Sequence, residues 1–186
     1  MQIEVSEKII LKTLELQDVE ERYKVIDKNR KFLRQWLGWL DLYKSSKDLI
    51  EYTKICQKEE KSKEGYTFGI YYLGKFIGCI EIQDIDYRNK KCEIGYWLDK
   101  DSNGKGIMTA CCIEIIDYIY EKTKLNRISI LTATENYSSQ AIPKKLGFLE
   151  EGILLENECL YGRFVDNYIY SMTKNKWEKM KQFKED

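Results

Sequence analysis

The chain has 186 residues, about one domain at ~150 residues each, and a chain of this size buries about 70% of its unfolded surface without help from disulfides or metals. Hydrophobic residues are 43% and charged residues 33% of it, values that exclude disordered and low-complexity classes. The 31 Lys plus Arg balance 31 Asp plus Glu, which argues against direct nucleic-acid binding, and the lack of any histidine excludes His-based triads, His-ligated zinc or haem, and phosphohistidine chemistry.

In chain order, Met1 to Leu14 alternates polar and apolar residues and lacks a signal-peptide core, and Ile9 to Leu14 reads as a first strand. Val19, Tyr23 and Ile26 then fall at helical spacing. Ser45 or Ser46 looks like the N-cap of a second helix whose inner face is Leu49, Tyr52, Thr53 and Cys56. From Tyr66 the period changes to two, and Tyr66 to Tyr72, Phe76 to Ile85 and Lys91 to Leu98 read as strands. Gly74, in Leu73-Gly74-Lys75, supplies the unusual backbone angles of the first hairpin. A polar loop with Gly104 and Gly106 leads into a helix with Met108, Cys112, Ile115, Ile116 and Ile119 on one face. Arg127 to Thr132 is the next strand, Ser139 to Leu146 a short helix ended by Gly147, and Leu149 to Leu155 and Phe164 to Thr173 are closing strands. The order implies one domain over 1–186: a mixed α/β sheet with helices on both faces.

The six cysteines show no C-x-x-C spacing and mostly occupy apolar positions, as buried reduced thiols do. No apolar run reaches the ~18 residues of a spanning helix, so a soluble, cytoplasmic protein without a membrane partner is expected.

The segment Asn103-Gly104-Lys105-Gly106-Ile107-Met108-Thr109 follows the strand ending Tyr96-Trp97-Leu98 and opens a helix. Glycines at alternate positions let backbone N–H groups converge, and at a helix N-terminus these form an anion site suited to phosphate. A plain strand-to-helix turn has the same pattern. A Walker motif is absent, and the dinucleotide fingerprint fails because Thr109 stands where its third glycine belongs.

Five segments in order carry a family resemblance: Arg34-Gln35-Trp36-Leu37-Gly38-Trp39, Glu93-Ile94-Gly95-Tyr96-Trp97-Leu98, Gly104 to Thr109, Asn136-x-x-Ser139 with Lys145-Leu146-Gly147-Phe148, and Gly162-Arg163-Phe164-Val165-Asp166-x-x-x-Tyr170. Over nearly the whole chain they resemble the GNAT superfamily of N-acetyltransferases, and within it the RimJ/RimL-type enzymes that acetylate the N-termini of ribosomal proteins. The resemblance implies a twisted, mostly antiparallel central sheet, an acetyl-CoA co-substrate and no metal. By the family's pattern, Gly104 to Thr109 hold the coenzyme's pyrophosphate. The pantetheine arm lies between the strand ending at Trp97-Leu98 and Arg127 to Thr132, and a backbone N–H near Trp97 or Leu98 meets the thioester carbonyl. Tyr96 and Asn103 border this coenzyme site, Asn136 contacts the pantetheine, and Lys105 and Lys145 are phosphate partners. In the RimL-like proteins a glutamate and a serine serve as base and acid. Matched with Glu151-Gly152 as anchor, they fall on Glu158 and Ser139, with Glu151 a lesser candidate for the base.

Each of these has a plainer reading: a solvated loop carboxylate for Glu158, and a helix N-cap for Ser139. Trp36 and Trp39 are core packing or a wall of the acceptor cleft. The chain also departs from the superfamily. Asn103 and Met108 replace the usual Gln/Arg and Gly/Ala, and Pro143 stands where many members carry an acid tyrosine. The acceptor implied is a protein N-terminus. Its rivals are a small amine (polyamine, aminoglycoside, aminoacyl-nucleotide antibiotic) or none at all, in a CoA-binding module without catalysis. Acceptor choice is expected to rest on the first helices and a loop from Glu156 to Arg163. A homodimer is a further implied partner, since related enzymes often pair.

Overall fold

The computed structural model describes residues 1–185, so the last residue of the expected 1–186 unit lies outside it. Eight strands form one sheet: β1 (Gln2–Ser6), β2 (Ile9–Thr13), β3 (Tyr66–Tyr72), β4 (Lys75–Asp86), β5 (Lys91–Leu98), β6 (Arg127–Ala133), β7 (Leu149–Leu160) and β8 (Arg163–Thr173). The helices are α1 (Val19–Leu33), α2 (Ser46–Ser62), α3 (Ile107–Lys122), α4 (Tyr137–Lys145) and α5 (Lys174–Glu185). Strand order is β1-β2-β3-β4-β5-β6-β8-β7, antiparallel except for β5 with β6. This is the mixed α/β architecture expected.

Local chemistry sets the boundaries. Ser45 caps α2, and Asp48 Oδ2 accepts the Lys44 and Ser45 N–H groups, each at 2.8 Å, completing a capping box. The β3–β4 hairpin turns on Leu73 and Gly74, both with positive φ (50° and 77°), the geometry whose twist matches the strands. Alternation along the strands then feeds two cores. On one face Val19, Ile26 and Leu33 of α1 and Leu49 and Cys56 of α2 pack on Phe76, Cys79 and Trp97. On the other, Cys112, Ile115, Ile116 and Ile119 of α3 meet Ile80, Ile82, Ile94, Ile128 and Met172. Five cysteines are buried, Cys159 is exposed, and all six are free thiols. Among the described residues no helix is long and apolar enough to cross a membrane.

Three expectations change. Gln2–Ser6 is a strand of its own at the sheet edge, where one-sided exposure leaves only a weak apolar pattern. The segment Glu156 to Arg163 is not a loop: β7 runs on to Leu160, and only Tyr161-Gly162 turns. The cause is a bulge between Leu154 and Glu158, with Glu156 at φ 49° and its N–H held by Asp166 Oδ1 at 2.7 Å. A bulge shifts the alternation without ending the strand, so period-two reading stops there. Finally, α4 begins at Tyr137 under an Asn136 cap, two residues before the expected start.

Candidate active site

The cleft begins where β5 and β6 part. They pair only through Lys91–Glu93 with Arg127–Ser129. Beyond that, β5 stays on β4 as far as Leu98 and β6 stays on β8 as far as Ala133, so the inner edges of both strands are left unpaired. Asp99 N–H bonds the Ile77 carbonyl at 2.7 Å on the β4 side. Because backbone groups alternate edges along a strand, the N–H groups of Leu98 and Tyr96 face the gap. The adjoining cavity has a volume of about 350 Å3. Its lining gathers Trp36, Tyr96, Trp97, Leu98, Asn103, Met108, Asn136, Ser139 and Glu158 from separate parts of the chain.

At one end of the gap lies the glycine loop. Gly104 and Gly106 sit at φ 76° and 77°, and a Cβ built on either meets no protein atom within 4 Å. Their φ angles therefore require glycine, while the space beside them is open. Ala110 makes the first helical bond of α3, to the Gly106 carbonyl at 3.0 Å, so the N–H groups of Ile107, Met108 and Thr109 have no helical partner. The first turn of α3 carries no acidic residue. These donors and the helix dipole fit a pyrophosphate. The side chains behave differently: Ile107 and Met108 are buried in the core, Lys105 is exposed, and Asn103 Nδ2 closes the turn before the loop by donating to the Asp99 carbonyl at 2.6 Å. Lys145 is exposed and does not line the cleft.

At the mouth, Asn136 Oδ1 accepts the Ser139 N–H at 3.2 Å and the Ser138 hydroxyl at 2.9 Å. Asn136, not Ser139, is therefore the helix cap, which corrects the structural reading of Ser139 and leaves its side chain on the cleft. Ser139 Oγ lies 3.5 Å from the Tyr96 hydroxyl. Gln140 ties α4 to the end of β6 through the carbonyls of Ala133 (3.0 Å) and Thr134 (2.8 Å).

Glu158 lines the cleft just past the β7 bulge, paired with Val165 of β8. Burial raises its pKa, against a hydrogen bond from Asn167. Sequence reasoning assigned no role to Glu93, which lines the same cavity. Its pKa is raised first by burial, against a hydrogen bond from Gln83, with the charges of Asp84 and Glu158 adding to the rise. The signal was present: Cys92, Ile94, Tyr96 and Leu98 take one face of β5, which leaves Glu93 on the other beside Gly95 and Trp97. Glu151 is held elsewhere, in a two-pronged pair with Arg127 (2.8 and 2.5 Å) and a bond from Ser171, which lower its pKa to about 2. A carboxylate so stabilised is a poor base.

The two tryptophans separate. Trp36 lines the cleft and packs on Ala133, Leu160 and Val165. Trp39 turns away into a neighbouring cavity and contacts Trp97, with centroids 6.1 Å apart. The segment between is fastened to the β7–β8 turn, where Tyr161 donates to the Leu37 carbonyl at 2.7 Å and the Arg34 guanidinium lies 3.6 Å over the Tyr161 ring.

Parted strands beside a glycine-rich helix N-terminus are the arrangement that the resemblance to N-acetyltransferases implied. Comparison with known proteins agrees. The family described as acetyltransferase (GNAT) domain matches residues 8–149. The chain is 36% identical over 176 residues to a putative ribosomal N-acetyltransferase, YdaF, of Bacillus subtilis, covering 94% of this chain and 96% of that protein. It is 30% identical over 171 residues to the ribosomal-protein-serine acetyltransferase of Escherichia coli, covering 91% and 94%. The crystal structure of the microcin C7 self-immunity acetyltransferase MccE in complex with acetyl-CoA and AMP superposes with a TM-score of 0.89 at 28% identity, over 92% of this chain and 95% of that one. The chain belongs to the GNAT acetyltransferase family. It is an acetyl-CoA-dependent N-acetyltransferase.

Proposed function

We propose that the protein acetylates the α-amine of a protein N-terminus, with ribosomal proteins as the acceptor class. The observation that carries this is near-full-length similarity to a putative ribosomal N-acetyltransferase and to a ribosomal-protein-serine acetyltransferase. The residues gathered in the cleft suit the chemistry. Acetyl-CoA supplies the activated acetyl group, held by the N–H groups after Gly104 and Gly106, with Asn136 beside its arm. The Leu98 N–H donates to the thioester oxygen as charge develops there. An α-amine, of pKa ~7.7–8.0, is partly neutral at pH 7, whereas a lysine amine near 10.4 is not. A carboxylate is therefore base enough, and Glu158 accepts the amine's proton as the C–N bond forms and the C–S bond breaks. Ser139 is a hydrogen-bond donor to the departing sulfur. With a thiol of pKa ~8.5 leaving, no stronger acid is needed, which fits Pro143 in the position of the family's tyrosine. Trp36 grips the first residues of the acceptor.

The test is to incubate the purified protein with labelled acetyl-CoA and either ribosomal proteins or a panel of small amines including spermidine. Label on protein N-termini, located by peptide mass spectrometry, is expected. Label on small amines alone would overturn the acceptor assignment, and no transfer to any acceptor despite CoA binding would overturn the catalytic one.

A further inference from the structure

A second cavity, of about 220 Å3, lies on the same face of the sheet beneath α1 and α2, and Trp97 lines both it and the cleft. Five aromatic side chains border it in an unbroken series. Centroid distances are 5.7 Å from Tyr52 to Tyr43, 5.4 Å from Tyr43 to Trp39, 6.1 Å from Trp39 to Trp97 and 5.9 Å from Trp97 to Phe76. Interplanar angles of 52° to 68° keep the rings from stacking flat on one another.

An arginine and a glutamate complete the lining, and among the described residues neither is paired with a counter-charge. Arg22 is 2% exposed. Both of its hydrogen bonds leave from Nη2, to Thr53 Oγ1 at 2.5 Å and the Glu15 carbonyl at 3.3 Å, while its buried Nε has no partner. Among the described residues no carboxylate forms an ion pair with it. Glu81 accepts a 3.0 Å bond from the Tyr52 hydroxyl, and no described cation pairs with it. A buried charge without a counter-charge is costly, and folds normally pair or remove it. Here a guanidinium and a carboxyl, whose pKa is raised by burial against the Tyr52 hydrogen bond, border one cavity without meeting each other.

A ligand resolves this if it carries both signs. A carboxylate answers the guanidinium, whose unpartnered Nε–H offers it a charge-assisted hydrogen bond. An organic ammonium is attracted to aromatic faces and to Glu81. A simple cation is opposed by Arg22, and a simple anion leaves Glu81 without a counter-charge. We propose that this cavity binds a small zwitterion of amino-acid size, its carboxylate on Arg22 and its ammonium among the rings beside Glu81. Because Trp97 is shared, the occupant touches a wall of the acetyl-transfer cleft. The proposal does not depend on which acceptor is acetylated.

The experiment titrates the protein with glycine betaine and L-leucine as zwitterions, and with choline and isovalerate as the single-charge controls. It follows tryptophan fluorescence, to which Trp39 and Trp97 contribute from the cavity wall, and thermal melting. A saturable fluorescence change and a raised melting temperature with at least one zwitterion are expected, with both controls weaker by about tenfold or more. Glu81→Gln, which keeps the Tyr52 contact and the volume, and Arg22→Met are each expected to weaken zwitterion binding by about tenfold at unchanged CoA affinity. Should Arg22→Met also lose CoA binding, and hence its fold, Glu81→Gln decides alone. The proposal fails if no zwitterion binds below about 10 mM to protein that binds CoA. It fails equally if choline or isovalerate binds as well as the zwitterions, or if Glu81→Gln binds like the parent.

Discussion

The hydroxyl of Tyr96 donates a 3.0 Å hydrogen bond to the carbonyl of Ser139, the one carbonyl of α4 that Pro143, lacking an N–H four residues on, cannot engage. A proline inside a helix orphans the carbonyl one turn back. Here a side chain from β5 fills the vacancy across the gap between the strands. The residue that removes the family's tyrosine from α4 thus creates the acceptor that holds another tyrosine in the cleft. Burial raises the Tyr96 pKa strongly, so its hydroxyl stays a donor.

Tyr96→Phe leaves that carbonyl unpaired and is expected to cost about 1–2 kcal/mol of stability in urea denaturation. Pro143→Ala restores the backbone donor. In that background the loss from Tyr96→Phe should shrink by about 1 kcal/mol, and equal losses in both backgrounds would refute the link.

Gly106→Ala places a Cβ in the open space before α3 at φ 77°. The backbone strain is expected to cost about 1 kcal/mol in folding, and CoA affinity by calorimetry should fall by about tenfold or more. Gly106→Asp adds a negative charge and should abolish binding. Unchanged affinity in both would remove the loop from the coenzyme site.

Gly78 acts differently. A Cβ there would lie 2.2 Å from the Trp97 carbonyl and 2.9 Å from the Leu98 Cα, both backbone atoms that cannot rotate away. Gly78→Ala must push β5 off β4 at the end that borders the gap. We expect a loss of about 2 kcal/mol or more together with reduced acetyl transfer, read by denaturation and by thiol release.

Glu158→Gln tests the base. Burial raises the carboxyl pKa, so the wild type loses its basic form as pH falls through that raised value, and turnover falls with it. In the variant turnover should be lower throughout. The deficit should be widest at about pH 6–7 and narrowest near about pH 9, where the amine is already neutral. A constant ratio across that range would exclude Glu158. Ser139→Ala should cost less.

Glu151 contributes to stability in acid. Its pKa is lowered to about 2 by Arg127 and Ser171, so its contribution is complete above the ordinary value near 4.5 and is lost as pH falls from there toward 2. Glu151→Gln should cost about 1 kcal/mol at neutral pH and flatten the decline between about pH 5 and about pH 2 in melting experiments.

Much of this was legible in the chain itself. Alternation placed Tyr66–Tyr72 and Lys91–Leu98 as strands to the residue, and helical spacing located the buried face of α3, because one-sided burial imposes period two or 3.6 on apolar residues. The Gly104–Gly106 loop was readable because positive φ at two positions selects glycine. The β7 bulge was not, since it rests on one residue at φ 49° and a side chain ten residues away. Nor was the helix cap: Asn136 and Ser139 both suit the role, and only the backbone geometry chose between them.

What the sequence determined alone is the class of elements and the family, because propensity, periodicity and short motifs act over a few residues. The tertiary structure decided which side chains meet. Glu93 joins Glu158 across the cleft, Trp36 and Trp39 part to different cavities, Tyr96 answers a carbonyl freed by proline, and Arg22 and Glu81 border one space without pairing. Those relations depend on strand order and on where β5 leaves β6. Pairing over such distances is set by the closure of the whole sheet, which no local pattern encodes.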